Sequence, residues 1–426
     1  MHSQLHTLIL GSGGREHALA TQLSQSDVVG NLYIAPGNGG TLNRATNLPY
    51  VSPNNVDQVA EAIEKHEIGL LVVGPEDPLV NGLRDELEQR FPDLAIVGPG
   101  KQGAELEGSK DFAKQFMARN DIPTAAYKTF TDVASAQAYI DEIQPPYVLK
   151  ADGLAAGKGV LIINDAEEAK AAIDDMLEGG KFGDAGSRLV IEAFLDGIEF
   201  SVFAAVDGNS YVLLPTAKDY KRIGEGDTGL NTGGMGAISP PPFVDHALMQ
   251  KVEERIVKPT IDGLAKEKID YRGFIFFGLI NVGGEPYVIE YNCRMGDPET
   301  EVVLPRISSD FGKLCLAIHN QTLHDYQIEV RKESAATVMV VSGGYPEAYE
   351  KNKEISGLNQ VADDILIFHA GTKREGNKLL TNGGRVMAFT ALDDHYKHAL
   401  MQAYNAINKI CYDGIYYRKD IGFDLP

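Results

Sequence analysis

The stretch from Val148 to Val160, which reads VLKADGLAAGKGV, constrains the fold of this chain more than any other. It begins as an apolar run that ends at Lys150. After the loop comes Val160 to Ile163, a β-branched run that is too short for a helix and suits a strand. The loop between the two strands, Gly153 to Gly159, carries three glycines and Lys158. Glycine lets backbone N–H groups approach an anion closely and lysine adds positive charge, so this hairpin predicts binding of a polyphosphate.

This loop differs from a Walker A phosphate loop. A Walker A motif has four residues between its first glycine and the Gly-Lys pair, followed by Ser or Thr and then by a helix. Here three residues separate Gly153 from Gly157, Gly159 follows the lysine, and a strand comes next. The loop alone therefore leaves two interpretations open, a phosphate-binding hairpin and an ordinary flexible hairpin.

Net charge and cysteine content narrow the class of protein. A net charge of −21 at pH 7 argues against non-specific binding of nucleic acid or of an anionic membrane. The three cysteines are odd in number and lack metal-ligand spacing, which indicates reduced thiols and a cytoplasmic protein. We find no leader pattern at the N-terminus and no apolar run near the roughly 20 residues of a membrane helix. With 426 residues, the chain is long enough for two to four domains.

The N-terminus predicts a nucleotide-binding βαβ fold. A short apolar strand, Leu5 to Leu10, leads into the turn Gly11 to His17 and then into a helical pattern. A dinucleotide fingerprint would have glycine where Glu16 stands, and an acidic residue after the second strand, where the loop 36–40 reads PGNGG. These differences disfavour NAD. The turn can still hold a single phosphate at the helix N-terminus, with Arg15 nearby, or it is a tight turn that binds nothing.

Further strands extend the same pattern. Ile68 to Val73 and Ala95 to Val97 are both apolar, and both end in glycine-containing turns, with helical segments between them. Alternating strands and helices predict a parallel, Rossmann-like sheet whose ligands bind at the carboxyl ends of the strands. Glu76, in one of these turns, suits a hydroxylated or amine-bearing small molecule, and equally suits a solvated loop.

The middle of the chain carries a helix, a small lid and a connector. Ser109 is a predicted N-cap for a helix from Lys110 to Asn120, and a lysine in the first turn suggests either an anionic partner or simple solvation. Residues 124 to about 190 form a small βαββ-like unit that holds the glycine-rich loop and has the size of a lid. In the connector that follows, backbone groups could meet an adenine edge and Glu199 could accept hydrogen bonds from ribose hydroxyls; alternatively its acids are exposed strand residues.

Two later segments carry charged residues suited to catalysis. A long loop, 218–236, contains Asp219 and many glycines, and a loop of this length in a compact domain is usually functional or disordered. The strands Tyr271 to Val282 and Tyr287 to Asn292 follow, and period-two alternation puts Val288, Glu290 and Asn292 on one face. A carboxylate and an amide on one face offer oxygen ligands suited to Mg²⁺ with ATP phosphates. Directly afterwards, Arg294 can hold a carboxylate or phosphate and Asp297 an amine. From Ser334 onward we expect a separate α+β unit without an obvious catalytic set.

Taken together, these motifs resemble one family. LGSGGREHA, APGNGGT, GPEDPL, EGSKDF, KADGLAAGKGV, NTGGMGA and EYNCRMGDPET occur in this order over nearly the whole chain. Each is weak alone, but their order and spacing resemble the ATP-grasp superfamily and, within it, the phosphoribosylamine–glycine ligases (glycinamide ribonucleotide synthetases). The chain departs from that family at Met295, where the family has Phe, and at Glu301, where it has Gln.

The resemblance implies a reaction and an architecture. ATP, glycine and 5-phosphoribosylamine would give ADP, phosphate and glycinamide ribonucleotide through glycyl phosphate, a step of purine biosynthesis. The implied fold is multidomain, α/β and α+β: an N-terminal Rossmann-like domain (1–105), an ATP-grasp central domain (106–123 and 191–330) with a small mobile lid (124–190), and a C-terminal α+β domain (331–426). The partners would be small molecules rather than nucleic acid or membrane, and the protein would be a cytoplasmic monomer.

The resemblance also assigns roles to residues. It places ATP on Lys110, Lys150, Gly157, Lys158, Gly159, Glu192, Phe194, Leu195 and Glu199. It places Mg²⁺ or Mn²⁺ on Glu290 and Asn292, and phosphoribosylamine on Gly13, Gly14, Asn38 and Glu76. Asp219, Arg294 and Asp297 would position glycine or the amine as catalytic residues.

Three alternatives differ from this assignment. A nucleotide-dependent oxidoreductase would use the N-terminal fold, but its fingerprint is incomplete. A non-catalytic nucleotide-binding module would leave Glu290 and Asn292 without a task. Within the ATP-grasp enzymes, a purine carboxylase or a formyl-transfer relative is the nearest rival, and the NCRMGDPET segment favours the glycine ligase.

Overall fold

The N-terminal region is built on a parallel sheet, as the alternation of strands and helices predicts. The structure is a computed structural model and describes residues 4–154, 159–179 and 188–426. In chain order this region comprises β1 (Leu5–Gly11), α1 (Gly14–Leu23), β2 (Val29–Pro36), β3 (Thr46–Asn47), α2 (Val56–Lys65), β4 (Ile68–Val73), α3 (Glu76–Val80), α4 (Leu83–Arg90), β5 (Ala95–Val97) and α5 (Lys101–Gly108). All neighbouring strands are parallel, in the order β3-β2-β1-β4-β5.

Strand β1 lies between β2 and β4, so the strand order reverses at its carboxyl end. Its side chains alternate between two apolar cores: Ile9 packs in one, and Leu8 and Leu10 pack in the other. Both faces of the sheet are therefore covered, as is usual for parallel sheets. The turns after β1, β2 and β4 consequently lie at one edge of the sheet, where ligands of this fold class bind.

A small antiparallel unit follows. Helix α6 (Lys110–Arg119) begins at Ser109, whose side chain accepts a hydrogen bond from the N–H of Phe112 (3.1 Å), as predicted. Next come β6 (Tyr127–Phe130), α7 (Val133–Ile140), β7 (Tyr147–Ala151), β8 (Val160–Ile163), α8 (Ala166–Leu177) and β9 (Leu189–Ala193). The sheet order is β6-β9-β7-β8, and the pairing of Lys150 with Val160 confirms the predicted strand–loop–strand hairpin. Gly157 and Lys158 lie outside the described residues.

The expected lid boundary at 190/191 falls inside β9. This strand pairs with β6 from Leu189 to Glu192 and with β7 over its whole length, including Ala193 opposite Tyr147. The unit also has its own apolar core, which includes Phe130, Leu149 and Ile173. In the structure the lid sheet therefore extends to Ala193, because hydrogen bonds to its neighbours hold the strand to its end.

The central region is a second antiparallel sheet. It comprises β10 (Ile198–Asp207), β11 (Tyr211–Leu213), β12 (Lys218–Asp219), β13 (Arg222–Gly224), β14 (Thr228–Asn231), β15 (Gly236–Ser239), α9 (His246–Val252), α10 (Lys258–Lys266), β16 (Arg272–Val282), β17 (Glu285–Asn292), α11 (Thr300–Val303) and α12 (Phe311–Asn320). Four of these strands form the sheet β11-β10-β16-β17, and β13 pairs with β14 in a hairpin. Strands β16 and β17 are joined by Gly283 and Gly284, both at positive φ (61° and 89°), as the Gly-Gly pair predicts.

The C-terminal region is the expected α+β unit, but its sheet is not separate. It comprises β18 (Ser334–Val341), β19 (Leu366–His369), β20 (Thr372–Glu375), β21 (Lys378–Thr381), β22 (Arg385–Asp393) and α13 (Tyr396–Ile407). The five-stranded sheet runs β12-β15-β18-β22-β19, with Ile238 of β15 opposite Ala336 of β18. Two strands of the central region thus complete the C-terminal sheet, so the expectation of a separate unit from Ser334 is wrong in this respect.

In the described part of the chain, every helix is too short or too polar to span a membrane.

Candidate active site between the lid, the central sheet and the N-terminal turns

Two lysines and one glutamate join the lid to the central region. Lys150 of β7 lies 2.9 Å from one carboxylate oxygen of Glu192, and Lys114 of α6 lies 3.0 Å from the other. All three side chains are at most 6% exposed. Burial raises the pKa of Glu192, but the two ammonium groups outweigh it, so the net pKa is lowered. For Lys114, burial outweighs Glu192 and lowers the pKa to about 8.

This ion triple changes the interpretation of Glu192. Both of its carboxylate oxygens face ammonium groups, so an adenine edge could meet only the backbone of this segment. Phe194 and Leu195 continue the segment into the central sheet, and Phe194 is 41% exposed. Lys114 was not among the residues predicted from the sequence. The signal was its spacing of four residues from Lys110, which places both lysines on one face of α6.

The first half of the glycine-rich hairpin is attached to helix α6. Lys110 donates to the carbonyl of Gly153 (2.8 Å), and Asp152 accepts hydrogen bonds from the Ser109 hydroxyl (3.1 Å) and from the N–H of Asp111 (3.2 Å). At the far end of the hairpin, the N–H of Ala151 donates to the carbonyl of Gly159 (2.9 Å). Lys110 therefore lies beneath the loop that was predicted to hold phosphate. Its pKa is lowered, chiefly by burial.

Strand β17 brings the two expected metal ligands to this region. The Glu290 carboxylate acts to raise the pKa of Lys110 and of Lys221. It therefore lies near these two ammonium groups rather than in an apolar core. Asn292 follows two residues later and is 8% exposed. Opposite Glu290 is Gly278, where an added Cβ would approach the Glu290 side chain to 3.1 Å.

The predicted face of β17 is wrong at Val288. A bulge between β16 and β17 pairs Gly278 with Glu290 but Leu279 with Val288, which leaves Ile289 unpaired. An extra residue of this kind shifts the alternation of side chains. Val288 and Tyr291 consequently both pack in the apolar core. The carbonyl of Ile289, which the bulge leaves without a strand partner, lies 3.4 Å from Lys150 Nζ.

The side-chain oxygens of Glu290 and Asn292 on β17 suit a hard cation whose other ligands are not protein side chains. A carboxylate and an amide oxygen are ligands that Mg²⁺ accepts, with water and substrate phosphates completing its octahedron. Among the described residues, no group of three or more His, Cys, Asp or Glu side chains gathers in a way that could hold a metal on its own. The residues present therefore fit a metal bound together with a polyphosphate.

A second cluster of charges lies on β10, on β12 and the residues directly after it, and in the loop before α11. Lys221 is 2.7 Å from Glu199 and 4.0 Å from Asp219. Glu299 is 3% exposed and accepts a hydrogen bond from the Ser201 hydroxyl (3.3 Å). Burial, and then the Asp219 carboxylate, raise the pKa of Glu299 to about 7. The expected ribose acceptor Glu199 thus already has a cationic partner. The sequence analysis did not single out Glu299.

Arg294 connects the central region to the N-terminal domain. Its guanidinium lies 3.1 Å from Glu76 and 2.8 Å from Glu107. Burial raises the pKa of Glu76, but Arg294 and Arg15 outweigh it and lower the pKa to about 2. Two of the predicted site residues, Glu76 and Arg294, are therefore brought together as an ion pair. Glu107, which completes the cluster, was missed.

Asp297 is held by residues from both ends of the chain. Its carboxylate lies 2.9 Å from Arg385 of β22 and accepts a hydrogen bond from the N–H of Arg15 (3.3 Å). Arg385 also donates to the carbonyl of Gly233 (2.7 Å) in the long glycine-rich loop. The C-terminal unit, in which the sequence shows no obvious catalytic set, thus contributes Arg385 to the surroundings of Asp297. The Gly-Gly-Arg sequence before β22 was the available signal.

The N-terminal turn residues are largely satisfied within the protein. Asn38 donates to the carbonyls of Ser12 (2.9 Å) and His369 (2.7 Å), and its oxygen accepts from the N–H groups of Gly40 and Thr41. This side chain organises the turn, and its hydrogen bonds do not support the expected contact with substrate. The N–H of Gly13 donates to the carboxylate of Glu16 (2.6 Å), so that N–H is also engaged.

Comparisons with known proteins cover the whole arrangement. Family models of phosphoribosylglycinamide synthetase match the chain in three parts: the N domain over residues 5–107, the ATP-grasp (A) domain over 108–300 and the C domain over 335–424. The phosphoribosylamine–glycine ligase of Chlorobaculum tepidum is 46% identical, covering 98% of this chain and 99% of its own. That of Yersinia pestis is also 46% identical, with 98% of each chain covered.

Solved structures give the same result. The crystal structure of phosphoribosylamine–glycine ligase from Thermotoga maritima superposes with a TM-score of 0.85 at 36% identity, covering 98% of this chain and all of the other. Since the family models and the relatives span nearly its full length, this chain belongs to the phosphoribosylglycinamide synthetase family, ATP-dependent ligases that join glycine to phosphoribosylamine in purine biosynthesis.

Proposed function

We propose that this chain carries out the family reaction with the residues described above, as a cytoplasmic monomer. ATP would phosphorylate the carboxylate of glycine to give glycyl phosphate and ADP. The nitrogen of 5-phosphoribosylamine would then attack the glycyl carbonyl, releasing phosphate and one proton and forming glycinamide ribonucleotide. No Ser or Cys nucleophile is needed, because positioning and charge neutralisation carry such a reaction.

The observation that carries the assignment of roles is the ion triple of Lys150, Glu192 and Lys114. It fixes two ammonium groups at the junction of the lid and the central sheet, beside the hairpin that resembles a phosphate-binding loop. Lys110, Lys150 and the hairpin would bind the ATP phosphates. Glu290 and Asn292 would hold Mg²⁺ or Mn²⁺, which when bound neutralises phosphate charge.

Phosphoribosylamine and glycine would bind beside a second group of charged residues, which the following assignments name. Asp219 and Asp297, both beside cations, would orient the ammonium group of glycine or the acceptor amine. Glu76 and Arg294 would border the phosphoribosylamine site together with the backbone of Gly13 and Gly14. Closure of the lid would exclude water, because glycyl phosphate exposed to water hydrolyses.

Isotope transfer tests this chemistry directly. Glycine labelled with ¹⁸O in its carboxylate should place one labelled oxygen in each phosphate released, since that oxygen bridges carbon and phosphorus in glycyl phosphate. Phosphate without label would exclude direct phosphorylation of glycine. Omission of phosphoribosylamine is the matched control and should give no steady release of labelled phosphate.

A further inference from the structure

A buried carboxyl group lies beside the N-terminal glycine turn. Glu301, on α11, is 0% exposed, and within the part of the chain that the structure describes neither of its oxygens has a hydrogen-bond partner. It packs directly on the first residue of helix α1: a Cβ at Gly14 would lie 2.2 Å from Glu301 Oε1. Ionising a buried acid that has no hydrogen bonds costs free energy. The charge of such an acid also changes the electrostatic potential at the neighbouring groups.

The neighbouring charges are paired without Glu301. Glu16 is 2.5 Å from Arg15, and Asp297 is 2.9 Å from Arg385. Among the described residues, the Glu16 and Asp297 carboxylates each have a guanidinium partner, whereas Glu301 has no cation within ion-pair distance. Burial, and then the Asp297 carboxylate, raise the pKa of Glu301 well above its usual value, although Arg385 acts in the opposite direction.

The elements packed on α11 carry charges of both signs. Helix α1 contributes Arg15, Glu16 and His17; the loop before α11 contributes Arg294, Asp297 and Glu299; the turn after it contributes Arg306; and β22 contributes Arg385 at its start and Asp393 at its end. Strands β15 and β18 contribute no titratable side chain. His17 has its pKa lowered to about 3, mainly by burial and then by His369, so it adds no positive charge near neutral pH.

We propose that Glu301 is a positioning residue of the acceptor site: it is neutral when the phosphorylated acceptor amine binds, and its ionisation weakens that binding by repelling the anion. This proposal rests on the proposed function, which places the acceptor against the Gly13–Gly14 turn. When Glu301 loses its proton to solvent, the negative charge appears against the first turn of α1 and beside the Asp297–Arg385 pair. The favourable potential at a helix N-terminus is thereby cancelled where the acceptor would bind.

The test compares the protein with Glu301→Gln, which keeps the shape of the side chain and cannot ionise. The dissociation constant of glycinamide ribonucleotide is measured by calorimetry from pH 6 to pH 9 for both proteins. Titration of the ligand itself affects both equally, so the ratio of the two constants isolates Glu301. We divide the dissociation constant of the unsubstituted protein by that of Glu301→Gln. This ratio should be near one at pH 6 and should rise with pH, by up to about tenfold per pH unit once Glu301 ionises.

Infrared difference spectroscopy provides a second readout that needs no ligand. In the difference between the spectra of the protein and of Glu301→Gln, a protonated carboxyl C=O band should be present at neutral pH and disappear at alkaline pH, since the band of Glu299 is common to both proteins and cancels. A constant ratio of dissociation constants, or no such band, would overturn the role of Glu301 and leave the ligase reaction standing. Failure of both proteins to bind glycinamide ribonucleotide at any pH would overturn the proposed function and this role with it.

Discussion

At the scale of single residues, the site is a set of buried charges whose partners determine what each can do. Glu192 has two lysines, Arg294 has two carboxylates and Asp297 has Arg385. Glu290 lies near Lys110 and Lys221, and its carboxylate makes no hydrogen bond to any of the residues that the structure describes. Groups that are already paired orient their neighbours, and groups that are not paired are free to take a ligand. By this criterion Glu290 is the strongest candidate for metal binding.

Replacing Glu290 with Gln should remove turnover while the fold remains. The amide keeps the volume but loses the charged ligand, and loss of even supporting groups around a metal costs about 10- to 100-fold in activity. We expect a decrease in kcat of at least about a hundredfold, with an unchanged circular dichroism spectrum and unfolding midpoint. Glu285→Gln on the same strand, which breaks ion pairs with Lys251 and Arg255 away from the site, is the matched control. Full activity of Glu290→Gln at saturating Mg²⁺ would exclude the metal assignment.

Replacing Lys114 with Met should affect both stability and nucleotide affinity. The change leaves Glu192 buried with a single partner, and breaking a buried ion pair costs about 3–5 kcal/mol. Chemical denaturation should report the loss of stability, and the KM for ATP should rise because Lys150 loses the arrangement that orients it. Gln115→Met, the next residue on α6, is the control. A stable variant with an unchanged KM for ATP would show that the triple does not position Lys150.

At the scale of secondary-structure elements, ion pairs connect units that the sequence separates. Helix α3 begins at Glu76, and the loop after β17 provides Arg294, so one contact ties the N-terminal sheet to the central sheet. The Arg294 guanidinium, together with Arg15, lowers the pKa of Glu76 against the effect of burial. A carboxyl whose pKa is lowered in the folded state stabilises the protein above its unfolded pKa, and that contribution is lost as the pH falls through the folded value.

Glu76→Gln should therefore destabilise the protein by roughly 3 kcal/mol at neutral pH. The difference from the unsubstituted protein should be fully present above about pH 4.5, the usual pKa of a glutamate, and should shrink toward pH 2. Urea denaturation at pH 7.5, 4.5 and 3 measures this trend. Asp77→Asn, at the next position, should not show it. An unchanged difference at pH 3 would mean that Glu76 stabilises the protein without its charge.

Local patterns predicted most elements, and contacts distant in sequence account for the errors. The Ser109 cap and the Gly283–Gly284 turn follow from neighbouring residues, so they could be predicted. The bulge at Ile289 depends on how β17 pairs with β16, and no local pattern carried that information. The same holds for Glu107 and Arg385, which reach the site only through tertiary packing.

At the scale of the whole molecule, the proposed active site draws on all four regions. The N-terminal region would supply Glu76, the lid Lys150, the central sheet Glu290 and the C-terminal unit Arg385. The shared sheet, in which β15 pairs with β18, makes the C-terminal unit part of the structural core. The order of the motifs was enough to predict the family. It could not predict the shared sheet, because that sheet depends on pairing between strands that lie far apart in the sequence.

A chain ending at Glu333 should fail to fold as a soluble monomer. Removing β18 leaves β15 as an unpaired strand edge and exposes the apolar residues of the shared core, which favours aggregation. Size-exclusion chromatography with light scattering should show aggregates or no soluble protein. Co-expression with residues 334–426 should restore solubility. A truncated chain that is monomeric and unfolds cooperatively would contradict this view of the C-terminal unit.

The most direct test of the central claim is ADP release from Mg-ATP, with glycine and freshly generated phosphoribosylamine each supplied or withheld. The account predicts sustained ADP release only when both are present, with glycinamide ribonucleotide formed in equal amount. ADP release with neither substrate, or release that is independent of glycine, would contradict the assignment of this chain as a glycine ligase.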